Sequence, residues 1–208
     1  GTMHDVPAQA RAVVAEFKEP IHQFHEEVQG RIQAVHRLFN HIAMTNGKSP
    51  FAPPAIAMLM GITSSQLKSA SELGPIITVD QLMGAFAKLV PPEDTQVFER
   101  KVVVHIKHEV LRLRHVKSVM PEVRPLLIEL HAAVEGNTRA LFEWFLELIP
   151  QQDRPGVPVE AFSGLIMQTD PKETKVDLEN FLEGVENNID TSDTSAKLAT
   201  SIRAHLAK

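Results

Sequence analysis

IHQFHEEVQGRIQAVHRLFNHI, residues 21–42, places Ile21, Phe24, Val28, Ile32, Val35, Leu38, Phe39 and Ile42 at spacings of three and four. That period builds one apolar stripe along a helix, and it decides the fold class. The same spacing runs through Val103, Ile106, Val110 and Leu113, a stripe expected to end before Pro121. It returns in Leu127, Leu130, Val134, Leu141, Trp144 and Leu148, ending at Pro150. Pro7 suits the first turn of a short helix, and Pro20 restarts the chain in another. No stretch alternates apolar and polar residues as a strand would. The one strand-like run is Ile76-Ile77-Thr78-Val79, behind Gly74-Pro75. The expected fold is all-α, a helical bundle built from two tandem copies of a helix–loop–helix–helix unit.

The duplication rests on two collinear matches. Displaced by 106 positions, His25, Val28, Gly30 and Ala34 fall on His131, Val134, Gly136 and Ala140. The stripe Ile21, Phe24, Val35, Leu38 and Ile42 then meets Leu127, Leu130, Leu141, Trp144 and Leu148. At an offset of 80, Val79, Asp80, Leu82, Gly84 and Pro91 meet Val159, Glu160, Phe162, Gly164 and Pro171. Glycines and prolines that match along with the stripes argue for a repeat rather than two amphipathic helices in chance phase. The expected organisation is an N-terminal extension and short helix over 1–19, then helical unit 1 over 20–104 with an inserted segment at about 45–76. A bridging basic helix over 105–124 and helical unit 2 over 125–208 follow. No Gly/Ser linker separates the copies, which favours a single pseudo-twofold bundle.

Composition narrows the chemistry. The 208 residues are 43% hydrophobic and 23% charged, enough apolar surface for a buried core. The chain has no cysteine, which excludes disulfides, thiol catalysis and Cys-ligated metals and suits a reducing, cytoplasmic setting. No 18-residue apolar run is present, so no membrane span is expected. Gly1-Thr2-Met3 reads as a cloning remnant with no signal peptide after it. Ser64, Ser65, Ser69 and Ser71 lie in a polar helical stretch with Thr63 or Ser64 as its N-cap, not on a strand–turn–helix elbow. Gly156, Gly164 and Gly184 are isolated, so there is no phosphate-cradling loop. A helix–loop–helix calcium site needs oxygen ligands at alternating positions and a closing Glu. The segment 150–156, ahead of Glu160 and Phe162, offers Asp153 alone, and its counterpart at Asn46-Gly47-Lys48 offers no carboxylate. No cofactor and no catalysis are expected.

Ten histidines stand out. Three precede a glutamate by four residues, His22/Glu26, His105/Glu109 and His131/Glu135, a spacing that shares one helix face. On facing helices such pairs hold iron or zinc, so the metal alternative assigns His25, His131, Glu135, His105 and Glu109. Phase weakens it: with Ile21, Phe24 and Val28 inward, His22 and Glu26 point to solvent. His25 and His131 lie beside the stripe at matching places, the half-buried pair.

Charge separates along the chain. Between Arg100 and Arg124 seven Lys/Arg stand against Glu109 and Glu122, whereas 143–193 carries twelve acids against Arg154, Lys172 and Lys175. A basic amphipathic helix suits an acidic partner, an anionic membrane or nucleic acid. The overall charge of −5 and the lack of interleaved aromatics argue against nucleic acid, and peripheral membrane contact stays open. The insertion carries Phe51, Ile56, Met58, Leu59 and Met60 between prolines and Gly61, either a plug for the bundle end or an adaptable contact surface. The tail 190–195 reads as polar and mobile before a last helix near 196–207. The functional expectation is a non-catalytic protein–protein interaction or assembly scaffold, binding a protein partner or itself. Its contact residues are Phe51, Ile56, Leu59 and Met60, with Arg112, Arg114 and Lys117 of the basic helix. The alternatives are the His/Glu metal bundle and an electrostatic binder working through residues 100–124.

Overall fold

The computed structural model describes residues 7–45, 53–63, 65–66, 75–148, 159 and 172–208. Among these, helices dominate and no named strand occurs, as the period of three and four requires. The helices are α1 (Ala8–Glu16), α2 (Lys18–Val28), α3 (Ile32–Thr45), α4 (Pro53–Leu59), α5 (Val79–Leu89), α6 (Thr95–Ala133), α7 (Thr138–Leu148), α8 (Leu178–Glu186) and α9 (Ser195–Leu206). Two compact units result, Gly1–Leu113 and Arg114–Lys208, and the division falls within α6.

In the first unit α1 and α2 pack on α5, and α3 and α5 pack on α4. Ile21, Phe24, Val28, Val35, Leu38 and Phe39 of the quoted stripe are all buried there with Phe86 of α5. Phe86 is the hinge of an aromatic cluster, edge-on to Phe39 at 4.8 Å and to Phe17 at 6.3 Å. In the second unit Leu127, Leu130, Leu141, Trp144 and Phe181 form the core, with Trp144 and Phe181 edge-on at 5.9 Å. There α9 packs on α7.

Local chemistry starts three of these helices. Thr78 caps α5 through a reciprocal box with Gln81, Asp177 caps α8 at Asn180, and Thr194 caps α9 at Lys197. Thr63 accepts from Gln66 N–H and Gln66 returns the bond to Thr63 N–H, so the cap expected at 63 or 64 is Thr63. The tail is more ordered than its polarity suggests. Asp190 and Asp193 exchange turn bonds, and His115 Nε2–H donates to the Asp193 carbonyl at 2.6 Å.

Each unit closes on the same small device. The chain leaves α2 through Gln29 and Gly30, both left-handed at φ 53° and 72°, and Gly30 N–H returns to His25 O. Arg31 then bridges antiparallel to Ile76, and Ile77 N–H donates to Gly30 O at 2.8 Å. In the second unit Glu135 and Gly136 are left-handed at 52° and 69°, Asn137 bridges Lys175, and Val176 N–H donates to Gly136 O at 2.9 Å. The strand-like run at 76–79 thus supplies one bridge residue and a helix cap. Across the bridge the matching residues, Ile76 and Lys175, lie 99 positions apart rather than 80. The partners expected at 80, from Glu160 to Pro171, lie outside the described residues, as do both turns weighed for calcium.

The stripe expected to end before Pro121 does not end there: Pro121 and Pro125 both lie inside α6, which runs 39 residues. Proline removes one i→i−4 bond and crowds a carbonyl. Here the two prolines sit one turn apart and both are exposed, so solvent can satisfy the freed carbonyls. Leu127 and Leu130, beyond them, still reach the second core.

A Cβ at Gly30 would lie 2.6 Å from the Ile77 carbonyl oxygen, and one at Gly136 2.7 Å from that of Val176. We expect Gly30→Ala or Gly136→Ala to lower unfolding free energy by at least about 1–2 kcal/mol, the cost of a left-handed L-residue alone. Urea titration of each variant measures it, and hydrogen exchange should place the loss in the unit that carries the substitution.

Candidate interaction surface and histidine sites

The two half-buried histidines are structural latches. His25 Nε2–H donates to the Ile77 carbonyl at 2.8 Å, and His131 Nε2–H donates to the Val176 carbonyl at 2.7 Å. Because a carbonyl only accepts, each ring must carry its proton on Nε2, and that nitrogen has no lone pair for a metal. His131 also lies 5.7 Å from the Phe181 ring. Of the other residues in the metal alternative, Glu135 is exposed in the left-handed turn, and His25 and His131 belong to different units. His105 faces His41 of α3, with ring centroids 5.0 Å apart and edge-on. Among the described residues no three His, Asp or Glu side chains converge as a metal would need.

Glu109 does other work. Its Oε1 accepts Arg112 Nε and Nη2 at 3.0 and 2.7 Å and lies 3.3 Å from Arg37 Nε of α3. Glu109 and Arg112 are 7% and 6% exposed, so this is a buried ionic group inside the first unit. Arg112 therefore cannot serve as the surface contact the basic run suggested. Its spacing of three from Glu109 was visible in the sequence, but the partner Arg37 came from another helix.

The insertion is likewise turned inward. Ile56 and Met60 are 1% and 2% exposed in the first core, and Leu59 packs on the same cluster. Lys88 Nζ donates to the Leu59 carbonyl at 3.1 Å and ties the segment to α5. These three side chains are the plug, not a docking surface, because α4 spends its apolar face on the core. Met58 points outward instead. Phe51 lies outside the described residues.

What remains open to solvent is one side of α6. Val97, Val104 and Leu111 are 42%, 52% and 59% exposed at steps of seven, while Val102, Ile106 and Val110 bury the opposite side. Arg100, Lys101, Lys107 and His108 are exposed on the turns between them. Arg114 and Lys117, the other expected contacts, are exposed farther along the same helix. This row is hard to read from spacing alone, because α6 carries apolar residues on both its core side and its solvent side.

No protein-family model matches the chain, and no curated protein or solved structure is significantly similar to it. No described helix is long and apolar enough to cross a membrane.

Two expectations follow from these sites. Partial desolvation pushes His41 and His105 below the ordinary 6.5, reinforced at His41 chiefly by Arg37 and at His105 by His41, His108 and Lys101. The unfolded chain then binds more protons than the folded one below that value, so stability is full above about pH 6.5 and is lost as pH falls. The urea midpoint should drop between about pH 7.5 and 5.5, and replacing both histidines by Gln should flatten that dependence. Met60→Asp should unfold the first unit, since it places a charge in the core; thermal melting followed by circular dichroism would show a loss of several kcal/mol.

Proposed function

We propose that this chain is a non-catalytic protein-interaction or assembly module made of two related copies of one helical unit. The observation that carries the reading is the exposed apolar row of α6, on a helix whose other side already holds a core. Large apolar side chains left in water at regular helical spacing cost free energy that a partner would recover. Relatedness of the units is supported by the shared latch, in which His25 and Gly30 act on Ile77 as His131 and Gly136 act on Val176.

In this reading the copies differ by seven residues in the connection, which runs from Arg31 to Ile76 in the first unit and from Asn137 to Lys175 in the second. The described turns at 29–31 and 135–137 are closed by their own histidines. The module works by holding a helix face in place, with the rigid cores as its support.

The test is association of the full chain. Sedimentation equilibrium across concentration, together with cross-linking in cells of the source organism, should reveal either self-assembly or a stoichiometric protein partner. A chain that stays monomeric, cross-links to nothing and yet turns over a small molecule would overturn the reading. His25→Ala and His131→Ala should each lower stability by about 1–3 kcal/mol, the cost of an unpaired buried carbonyl. Neither should change association under conditions where the chain stays folded.

A further inference from the structure

We propose that the exposed side of α6 in the first unit docks an acidic amphipathic helix of another protein. This rests on the interaction-module reading and names the surface and the partner. Val97, Val104 and Leu111 recur every seven residues, so they rise along the helix by about 21 Å in a nearly straight row. A row with that repeat suits a second helix lying alongside, which meets it once every two turns. A lone exposed side chain would ask for nothing, but these are three of the seven large hydrophobics exposed among the described residues.

Charge selects the occupant. Arg100, Lys101, Lys107 and His108 occupy the turns between the apolar residues. The acids of this stretch, Glu99 and Glu109, project from other sides of the helix: Glu109 is buried against Arg112, and Glu99 lies beside Glu16. Neither Lys101 nor Lys107 is paired with a described carboxylate. A second copy of the same face would set lysine against lysine and is disfavoured. A helix with leucines flanked by glutamates satisfies both the row and the charge. A purely anionic surface would leave Val97, Val104 and Leu111 uncovered.

The experiment uses the full chain and a fluorescent synthetic peptide of about three heptads, with Leu at a and d and Glu at e and g. A scrambled peptide of equal composition and phosphatidylcholine vesicles containing phosphatidylserine serve as competitors. Anisotropy should give a Kd on the order of micromolar for the patterned peptide and binding at least about tenfold weaker for the scrambled one. K101E/K107E and V104D/L111D should each weaken binding by about tenfold or more. Their circular dichroism should be unchanged, because these side chains are exposed. Equal binding of both peptides, or unchanged binding in both variants, overturns the proposal. So does binding to the vesicles but not to the patterned peptide, which would make a lipid surface the occupant. If the peptide fails while the chain still assembles or cross-links to a protein, this face is wrong and the module reading stands; if both fail, the module reading falls with it.

Discussion

Gly30 and Gly136 hold φ at 72° and 69°, and each brings a helix end close enough to a distant carbonyl for a histidine to reach it. The rest of each unit is arranged around that approach. A Cβ at either position would lie inside van der Waals contact of the carbonyl oxygen, so the close contact and the glycine are one requirement. Once made, the contact fixes the bridge Arg31–Ile76 or Asn137–Lys175, and the bridge sets where the next helix is capped, at Thr78 or Asp177. Phe86 and Phe181 are then delivered into their cores, onto Phe39 and Trp144. In each unit one histidine N–H ties a helix end to a distant loop carbonyl.

The long helix divides its duties by side. Toward the core it contributes Val102, Ile106 and Val110, and with them Glu109 and Arg112, which are nearly as buried. An ionic group in that setting is costly to desolvate and costly to break, because removing one member leaves the others uncompensated. Arg37 from α3 makes it a three-membered group, so the charge run read from α6 alone overstated its positive surface. Toward solvent the same helix shows an apolar row with basic residues between. The nearby His41 and His105 are held toward their neutral forms by burial, with Arg37 acting on His41 and with His41, His108 and Lys101 acting on His105. Acid therefore loads positive charge onto a region that already has an excess of it.

Local signals carried far in this chain. The stripe at 21–42 is buried residue by residue, although the single helix it implied is broken at Gln29 and Gly30 into α2 and α3; Pro7 and Pro20 sit at helix starts, and Thr63 is a cap. The pairing of His25 with His131 and of Gly30 with Gly136 was also readable at an offset of 106. The partners of the second offset, from Glu160 to Pro171, lie outside the described residues, and the bridge itself pairs Ile76 with Lys175 at 99. The prolines of α6 misled because their effect depends on whether the freed carbonyl meets water, and exposure is not a local property. Ile56 and Met60 looked like adaptable surface because a short apolar run between prolines has the same composition whether it plugs a core or faces a partner.

By itself the sequence determined that the chain is helical and that two stretches share one histidine–glycine pattern. Period, capping and backbone freedom act within a few residues, so they are written locally. Tertiary structure alone decided what those histidines do, because their acceptor carbonyls lie 52 and 45 residues away. It also decided that Arg112 is buried while Val104 and Leu111 are not. Which side of a helix meets solvent is set by the helices packed against it, and no spacing within one helix contains that information.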